Sequence, residues 1–317
     1  MPLRVLFFGT PAFAVPSLSA VARSAHPVVG VITQPDRSRG RGQTVQPEAV
    51  KLAALEHQLP IWQPDRLKDP ALLETLGAER PDLGIVVAYG RLLPQALLDL
   101  PRLGCVNVHA SLLPRWRGAA PIHRAILAGD RETGITIMRV VLALDAGPVL
   151  ARVATPIDPH ETSAALASRL AALGARLLVE TVDLLAIGRV TEEPQDESGV
   201  TYAAKLERAD SPIDWSRSAQ SIHDQIRGLH PWPLAATSLA GRRVLLLRSM
   251  VASGEPVSDS PGTIVDVRPE GLVVAAGAGT VRVIELQPEG RRAMPVRDFL
   301  NGTKVSIGDR FNGAMGQ

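Results

Sequence analysis

The sequence predicts two domains, a doubly wound, mostly parallel α/β sheet followed by a small antiparallel β-barrel. Three observations carry this. Continuous apolar runs at residues 3–8, 28–33 and 83–88 fit strands buried on both faces, as in a parallel sheet. Helical patterns lie between these runs, so strands and helices alternate. Beyond an acidic stretch that starts at residue 191, the pattern changes to short strands between Gly, Pro and polar turns. At 317 residues the chain is long for one domain and suits two.

Each element has its own signal. Residues 104–109 and 135–142 are the further strands of the first domain. The first helix, 14–24, carries Pro16 in its first turn. The second, 47–58, has apolar Val50, Leu52, Ala53 and Leu55, and a third covers 118–128. Residues 162–187 show apolar positions at 166, 170, 173, 177 and 184, a period near 3.6, with Gly188 as a stop. This long helix closes a first domain at 1–190. Residues 191–208 read as a solvated linker and 209–317 as the second domain. The latter opens on a helix at 216–229, capped by Ser216 or Ser218. Strands at 244–248, 262–267, 271–275 and 281–286 follow, and 253–261 reads as a surface loop.

Charge and cysteine content exclude several classes. The first domain holds 20 basic and 16 acidic side chains, the linker 2 and 5, and the second domain 12 and 11. A net charge of +2 excludes a globally basic nucleic-acid coat but not a local basic patch. The single cysteine, Cys105, excludes an intramolecular disulfide framework and a cysteine-cluster metal site. There is no apolar segment of secretory or membrane-spanning length, so a cytoplasmic protein without a membrane partner is expected.

The first strand ends in Phe8-Gly-Thr-Pro-Ala-Phe13, which lacks the second and third glycines of a dinucleotide fingerprint. The densest polar signal is Asn107-Val-His-Ala-Ser-Leu-Leu-Pro-Arg-Trp-Arg-Gly118. Asn107 and His109 lie two apart at a strand end and so share a face. Ligands of open α/β sheets bind outside the carboxyl ends of strands. There an amide and an imidazole can together hold an oxygen that gains negative charge. A capped turn with a satisfied histidine would read the same way. Asp145, in Leu142-Ala-Leu-Asp-Ala-Gly-Pro148, follows a strand and is placed in a loop at the same sheet end. A carboxylate there could orient His109 or relay a proton, although an Asp in a turn is also common. Arg37-Ser-Arg-Gly-Arg-Gly42 concentrates three arginines without an acid, as either a solvated loop or a basic contact.

Over nearly its whole length the chain resembles the methionyl-tRNA formyltransferases. The matching text includes Phe8-Gly-Thr-Pro, Thr33-Gln-Pro-Asp-Arg37, Gly40-Arg-Gly42, Val87-Ala-Tyr-Gly90, Leu103-Gly-Cys-Val-Asn-Val-His109, Ser111-Leu-Leu-Pro-Arg-Trp-Arg-Gly-Ala-Ala-Pro121, Glu132-Thr-Gly-Ile-Thr-Ile-Met138 and Pro231-Trp-Pro233. The Asn-x-His and Ser-Leu-Leu-Pro blocks mark the wider formyltetrahydrofolate-using superfamily. Glycinamide ribonucleotide and amino-sugar formyltransferases share them. The arginine loop and a full C-terminal domain select among its members.

The resemblance implies a Rossmann-like formyltransferase domain and an OB-like, tRNA-binding barrel. It implies formyl transfer from 10-formyltetrahydrofolate to the α-amino group of methionyl-initiator tRNA, without a metal, and the chain is expected to act as a monomer. Carried over residue by residue, the catalytic trio is Asn107, His109 and Asp145. The folate segment is Ser111, Leu112, Leu113 and Pro114, with a cis bond expected at Leu113–Pro114. The tRNA loop carries Arg37, Arg39 and Arg41. The chain departs from the usual text at Ala12, at Gln43-Thr44 where lysines are common, at Ala110 for glycine, and at Ala146 and Pro148 beside Asp145.

Overall fold

A computed structural model describes residues 1–39, 44–252 and 258–313. The chain forms two compact units that alternate along the sequence. The first is Met1–Pro121, Glu132–Pro156 and Ala167–Ala203. The second is Ile122–Arg131, Ile157–Leu166 and Ala204–Gln317.

The first unit opens with β1 (Val5–Gly9), α1 (Val15–Ala22), β2 (Val28–Ile32) and the short hairpin β3 (Arg37–Arg39) and β4 (Thr44–Gln46). Next come α2 (Ala49–Glu56), β5 (Ile61–Trp62), α3 (Pro70–Ala78), β6 (Leu83–Val87) and α4 (Gln95–Leu98). The chain continues through β7 (Cys105–His109), β8 (Arg117–Gly118), α5 (Pro121–Leu127), β9 (Glu132–Arg139), β10 (Val149–Pro156), α6 (Ser163–Ala186) and β11 (Tyr202–Ala203). Seven strands form one sheet in the order β10-β9-β7-β6-β1-β2-β5. Its centre is parallel, while β9 runs antiparallel to β7 and β10 to β9. All five residues of β1 are buried, as the apolar run requires.

Four expectations shift here. The strand placed at 135–142 is β9, which ends at Arg139. Residues 37–42, read as a loop, begin on β3, whose Arg37 and Arg39 pair with Gln46 and Thr44. In α6 the buried stripe runs through Leu166, Leu170, Leu178, Val182 and Leu185, whereas Leu184 is exposed. A helix carries about 3.6 residues per turn, so the apolar spacing alone does not say which of two adjacent leucines faces inward. Finally, the stretch taken as a linker, 191–208, is largely exposed yet contributes to the sheet architecture. Glu193 bridges Val149 on β10, and β11 pairs in parallel with β8.

The second unit holds α7 (Ala219–Gly228), β12 (Ala235–Leu239), β13 (Arg242–Ala252), β14 (Ile264–Arg268), β15 (Gly271–Ala275), β16 (Thr280–Pro288), β17 (Met294–Pro295), α8 (Val296–Gly302) and β18 (Phe311–Gly313). Its antiparallel sheet runs β14-β15-β16-β13-β12-β18. A bridge from Thr263 to Arg310 joins the two ends of that order and closes a barrel. Trp215 stacks on Phe311 in its core, with ring centroids 5.6 Å apart. Ser218 caps α7, accepting a hydrogen bond from the Ser221 backbone N–H. Ile222 and Ile226 of α7 enter the core.

The opposite side of α7 is buried as well. His223 bonds Ser249 Oγ through Nδ1 and the Pro159 carbonyl through Nε2, at 3.0 and 2.9 Å. Arg227 pairs with Asp224 at 2.7 Å and donates to the carbonyls of Asp158 and Glu161. These bonds join residues 157–166 to the second unit, although the sequence places them at the start of α6. Among the described residues no helix is long and apolar enough to cross a membrane, and no three potential metal ligands cluster.

Candidate active site

Strand β7 carries the first two residues of the site. Its alternation puts Cys105, Asn107 and His109 on one face. In register Asn107 and His109 lie opposite Met138 and Thr136 of β9. His109 is buried, and its Nε2 lies 2.9 Å from the Trp116 carbonyl. A carbonyl only accepts, so Nε2 carries a proton and donates it there. Nδ1 is thereby the nitrogen left to hold or release a second proton. The Asn107 side-chain amide has no hydrogen-bond partner among the described residues.

Asp145 reaches His109 by a route the sequence did not indicate. Because β9 is antiparallel to β7, its loop to β10 starts beside Cys105, where Val140 N–H donates to the Cys105 carbonyl. That is the opposite end of β7 from His109, so the chain must fold back along the strand. Gly147 permits the reversal, since a Cβ there would lie 1.9 Å from the Arg139 carbonyl oxygen. Asp145 itself adopts a left-handed conformation, φ +48°. Its Oδ2 accepts a hydrogen bond from Gly118 N–H at 2.8 Å and lies 3.7 Å from His109 Nδ1. The latter separation is an ion-pair distance and exceeds a hydrogen bond. The structure thus brings Asn107, His109 and Asp145 together, with Gly118 as the direct partner of the carboxylate.

The segment Ser111–Pro114 is tightly held. Ser111 Oγ donates to the Arg115 carbonyl at 2.6 Å. Thr136 Oγ1 donates to the Ser111 carbonyl and accepts from Leu113 N–H, at 2.7 and 3.1 Å. Ser111 and Leu113 are buried, while Leu112 and Pro114 keep partial exposure. The Leu113–Pro114 bond is cis. Sequence reasoning passed over Thr136, whose only signal is a hydroxyl inside an otherwise apolar strand.

A cavity of about 530 Å³ lies at the Cys105 end of β7, the end away from His109. Leu98, Cys105, Val140 and Leu142 give it apolar walls, and Gln95, Asp99, Arg139 and Glu192 add polar groups. Arg139 is braced by Glu192 at 2.7 Å and by the Leu103 carbonyl. The Cys105 thiol is buried, which pushes its pKa up to about 12 and leaves it un-ionised.

The arginine loop has a defined base. Asp36 precedes β3 and binds Lys51 of α2 and Gln63. These bonds, Lys51 first, hold its carboxyl below the usual carboxylate range. Gln63 also donates to the Gln34 carbonyl at 2.9 Å. Arg37 and Arg39 sit on β3, and Arg41 lies outside the described residues.

Comparison with known proteins matches the chain to a family. The formyl transferase family matches residues 3–182, and the formyl transferase C-terminal domain matches 205–304. A methionyl-tRNA formyltransferase of Methylococcus capsulatus is 50% identical over 94% of this chain and 96% of its own. One of Paracoccus denitrificans is 49% identical over 98% of this chain and 100% of its own. In fold, the chain is similar to an N-formyltransferase from Helicobacter canadensis solved with folinic acid and dTDP-3-aminofucose. That likeness has a TM-score of 0.67 at 16% identity and covers 89% of this chain and 99% of the other. The chain belongs to the formyl transferase family, as an enzyme of its methionyl-tRNA formyltransferase branch.

Proposed function

We propose that the chain transfers a formyl group from 10-formyltetrahydrofolate to the α-amino group of methionyl-initiator tRNA, and that Asn107, His109 and Asp145 carry the chemistry. The observation that supports this most is the set of uncommitted polar groups on one face of β7, namely the Asn107 amide, His109 Nδ1 and Asp145 Oδ1. Held in place but not spent on the protein, these groups suit a carbonyl that gains negative charge and an amine that loses a proton. We place the formyl donor against these groups, with Ser111–Pro114 forming the rigid turn on which it lies.

The free amine attacks the formyl carbon and a C–N bond forms. The carbonyl oxygen becomes an oxyanion, held by the Asn107 amide and by protonated His109 through Nδ1. Asp145, across 3.7 Å from Nδ1, stabilises that cation. It also accepts the proton that the attacking nitrogen loses. The proton reaches N10 of the folate as the bond from carbon to N10 breaks, releasing tetrahydrofolate and formylmethionyl-tRNA.

For the acceptor, the segment Arg37–Arg41 contacts the acceptor end of the tRNA, with Asp36 at its base bound to Lys51 of α2. Residues 209–317 act as an OB-like domain that adds backbone contacts. Exposed Arg242 and Arg243 there neighbour exposed Arg291 and Arg292, because the Glu289 N–H bonds the Arg243 carbonyl. Guanidinium groups so arranged suit phosphates.

The test supplies purified protein with 10-formyltetrahydrofolate and three acceptors: methionyl-initiator tRNA, an elongator methionyl-tRNA and an amino-sugar nucleotide. Formylation of the initiator species is expected. Formylation of the sugar nucleotide with neither tRNA modified would overturn the reading. Arg41→Ala is expected to raise the KM for tRNA, flatten its salt dependence and leave the KM for folate unchanged.

A further inference from the structure

We propose that Gln195 is a positioning residue that aims Asp145 for formyl transfer. The proposal rests on the role given to Asp145 above. Gln195 lies fifty residues downstream, in the acidic stretch after α6, and the Glu193–Val149 bridge carries it to the Asp145 loop. Its side-chain amide is fully used. Nε2 donates to the carbonyls of Asp145 and Gly147, both at 2.8 Å. Oε1 accepts from Arg117 Nε and one terminal nitrogen, at 3.0 and 2.9 Å. An amide offers two N–H groups and two lone pairs, so none is left over.

Arg117 is itself buried and fixed. It pairs with Glu197 at 2.8 Å, and its backbone N–H donates to the Thr201 carbonyl. The next residue, Gly118, donates its N–H to the Asp145 carboxylate. Strand β8 therefore holds Asp145 at both ends: directly through the carboxylate, and through Gln195 at the backbone carbonyl. Such a double hold is what a left-handed, non-glycine residue needs in order to persist. The direction of its carboxylate towards His109 follows from that backbone conformation. Residues that orient a reacting group in this way commonly affect activity about 10–100-fold when removed.

Gln195→Met keeps the side-chain length and removes every hydrogen bond. Gln195→Glu keeps the Arg117 partner but sets an oxygen against two carbonyls. Steady-state kinetics would compare the wild-type protein, both variants, Asp145→Asn and the double variant Asp145→Asn/Gln195→Met. The substrates are 10-formyltetrahydrofolate and methionyl-initiator tRNA, and a thermal melt checks folding. Each Gln195 variant is expected to lose at least about tenfold in kcat, with both KM values within about threefold. In the Asp145→Asn background, Gln195→Met should cost less than about twofold further, because no carboxylate remains to aim. A purely architectural role would make the two penalties multiply.

The proposal is overturned if the penalties multiply, or if Gln195→Met keeps wild-type kcat while Asp145→Asn loses it. Wild-type turnover in Asp145→Asn instead overturns the role of Asp145 and, with it, this proposal. If Gln195→Met fails to fold, Gln195→Glu in the wild-type and Asp145→Asn backgrounds carries the same comparison.

Discussion

The two units each hold a histidine, an aspartate and an arginine close together, all buried except the partly exposed Asp145, and the two clusters are put to opposite uses. In the second unit His223 spends both ring nitrogens, and Arg227 is divided between Asp224 and two carbonyls. In the first unit His109 spends one nitrogen and faces Asp145 with the other, while the Asn107 amide is uncommitted among the described residues. Arg117 and Gln195, by contrast, are as fully bonded as Arg227. Residue type does not separate the clusters; the count of unspent donors and acceptors does. A saturated cluster supports structure, and an unsaturated one is available to a substrate.

The comparison can be broken most easily at its strongest point. Asn107→Ala, His109→Ala and Asp145→Ala are each expected to lower kcat at least about a hundredfold, near 2.7 kcal/mol of transition-state stabilisation, with the fold retained. Near-normal turnover in any two of the three would remove the distinction.

Arg227→Met should do the reverse. It leaves Asp224 buried without its partner, which typically costs about 3–5 kcal/mol of stability. Urea denaturation would read that loss, while turnover per folded molecule should stay within about threefold. A large fall in kcat without a stability loss would mean that the saturated cluster also serves the chemistry.

The smallest effect lies at His223. Burial lowers its pKa from 6.5, with neighbouring Arg227 and His160 acting in the same direction, and with the Pro159 hydrogen bond and Asp224 opposing. The unfolded chain therefore binds a proton at a higher pH than the folded one. The stability linked to neutral His223 is present above about pH 6.5 and is lost as pH falls through the lower, folded value. His223→Gln should make unfolding free energies at pH 7.5 and 5.5 differ less than in the wild type. Each tenfold difference in proton affinity between the folded and unfolded chain is worth about 1.4 kcal/mol, which sets the scale of the change. An unchanged difference would exclude His223 as a source of acid sensitivity.

Much of this was readable from the chain alone, for physical reasons. Buried parallel strands leave unbroken apolar runs, so β1, β2 and β6 stood out. Gly271–Ala275 was legible because turns bracket a short apolar piece. The edge strand β10 is half exposed and mixes Arg and Thr with Val, and β18 spans only Phe311–Gly313, so neither has a distinctive pattern. The trio was legible through its motifs, since Asn107 and His109 are two apart on one strand. The path of the Asp145 loop was not, because strand direction is decided by how the chain returns to the sheet. Gln195 was hidden for a similar reason. In a run of acids and Ser/Gly its composition is that of a solvated surface, and its value comes from a bridge to a strand more than forty residues earlier.

The state of Cys105 has a practical consequence for anyone who wishes to watch the enzyme move. It is the sole native thiol, it is buried, and its pKa of about 12 keeps it in the unreactive form at neutral pH. A maleimide dye should therefore ignore the untouched protein until it is denatured, so the wild type behaves as if it had no cysteine. A thiol introduced at an exposed position, such as Glu56 or Glu289, would then take the probe alone. A pair of such thiols, one in each unit, would report distances during catalysis with the native cysteine left in place.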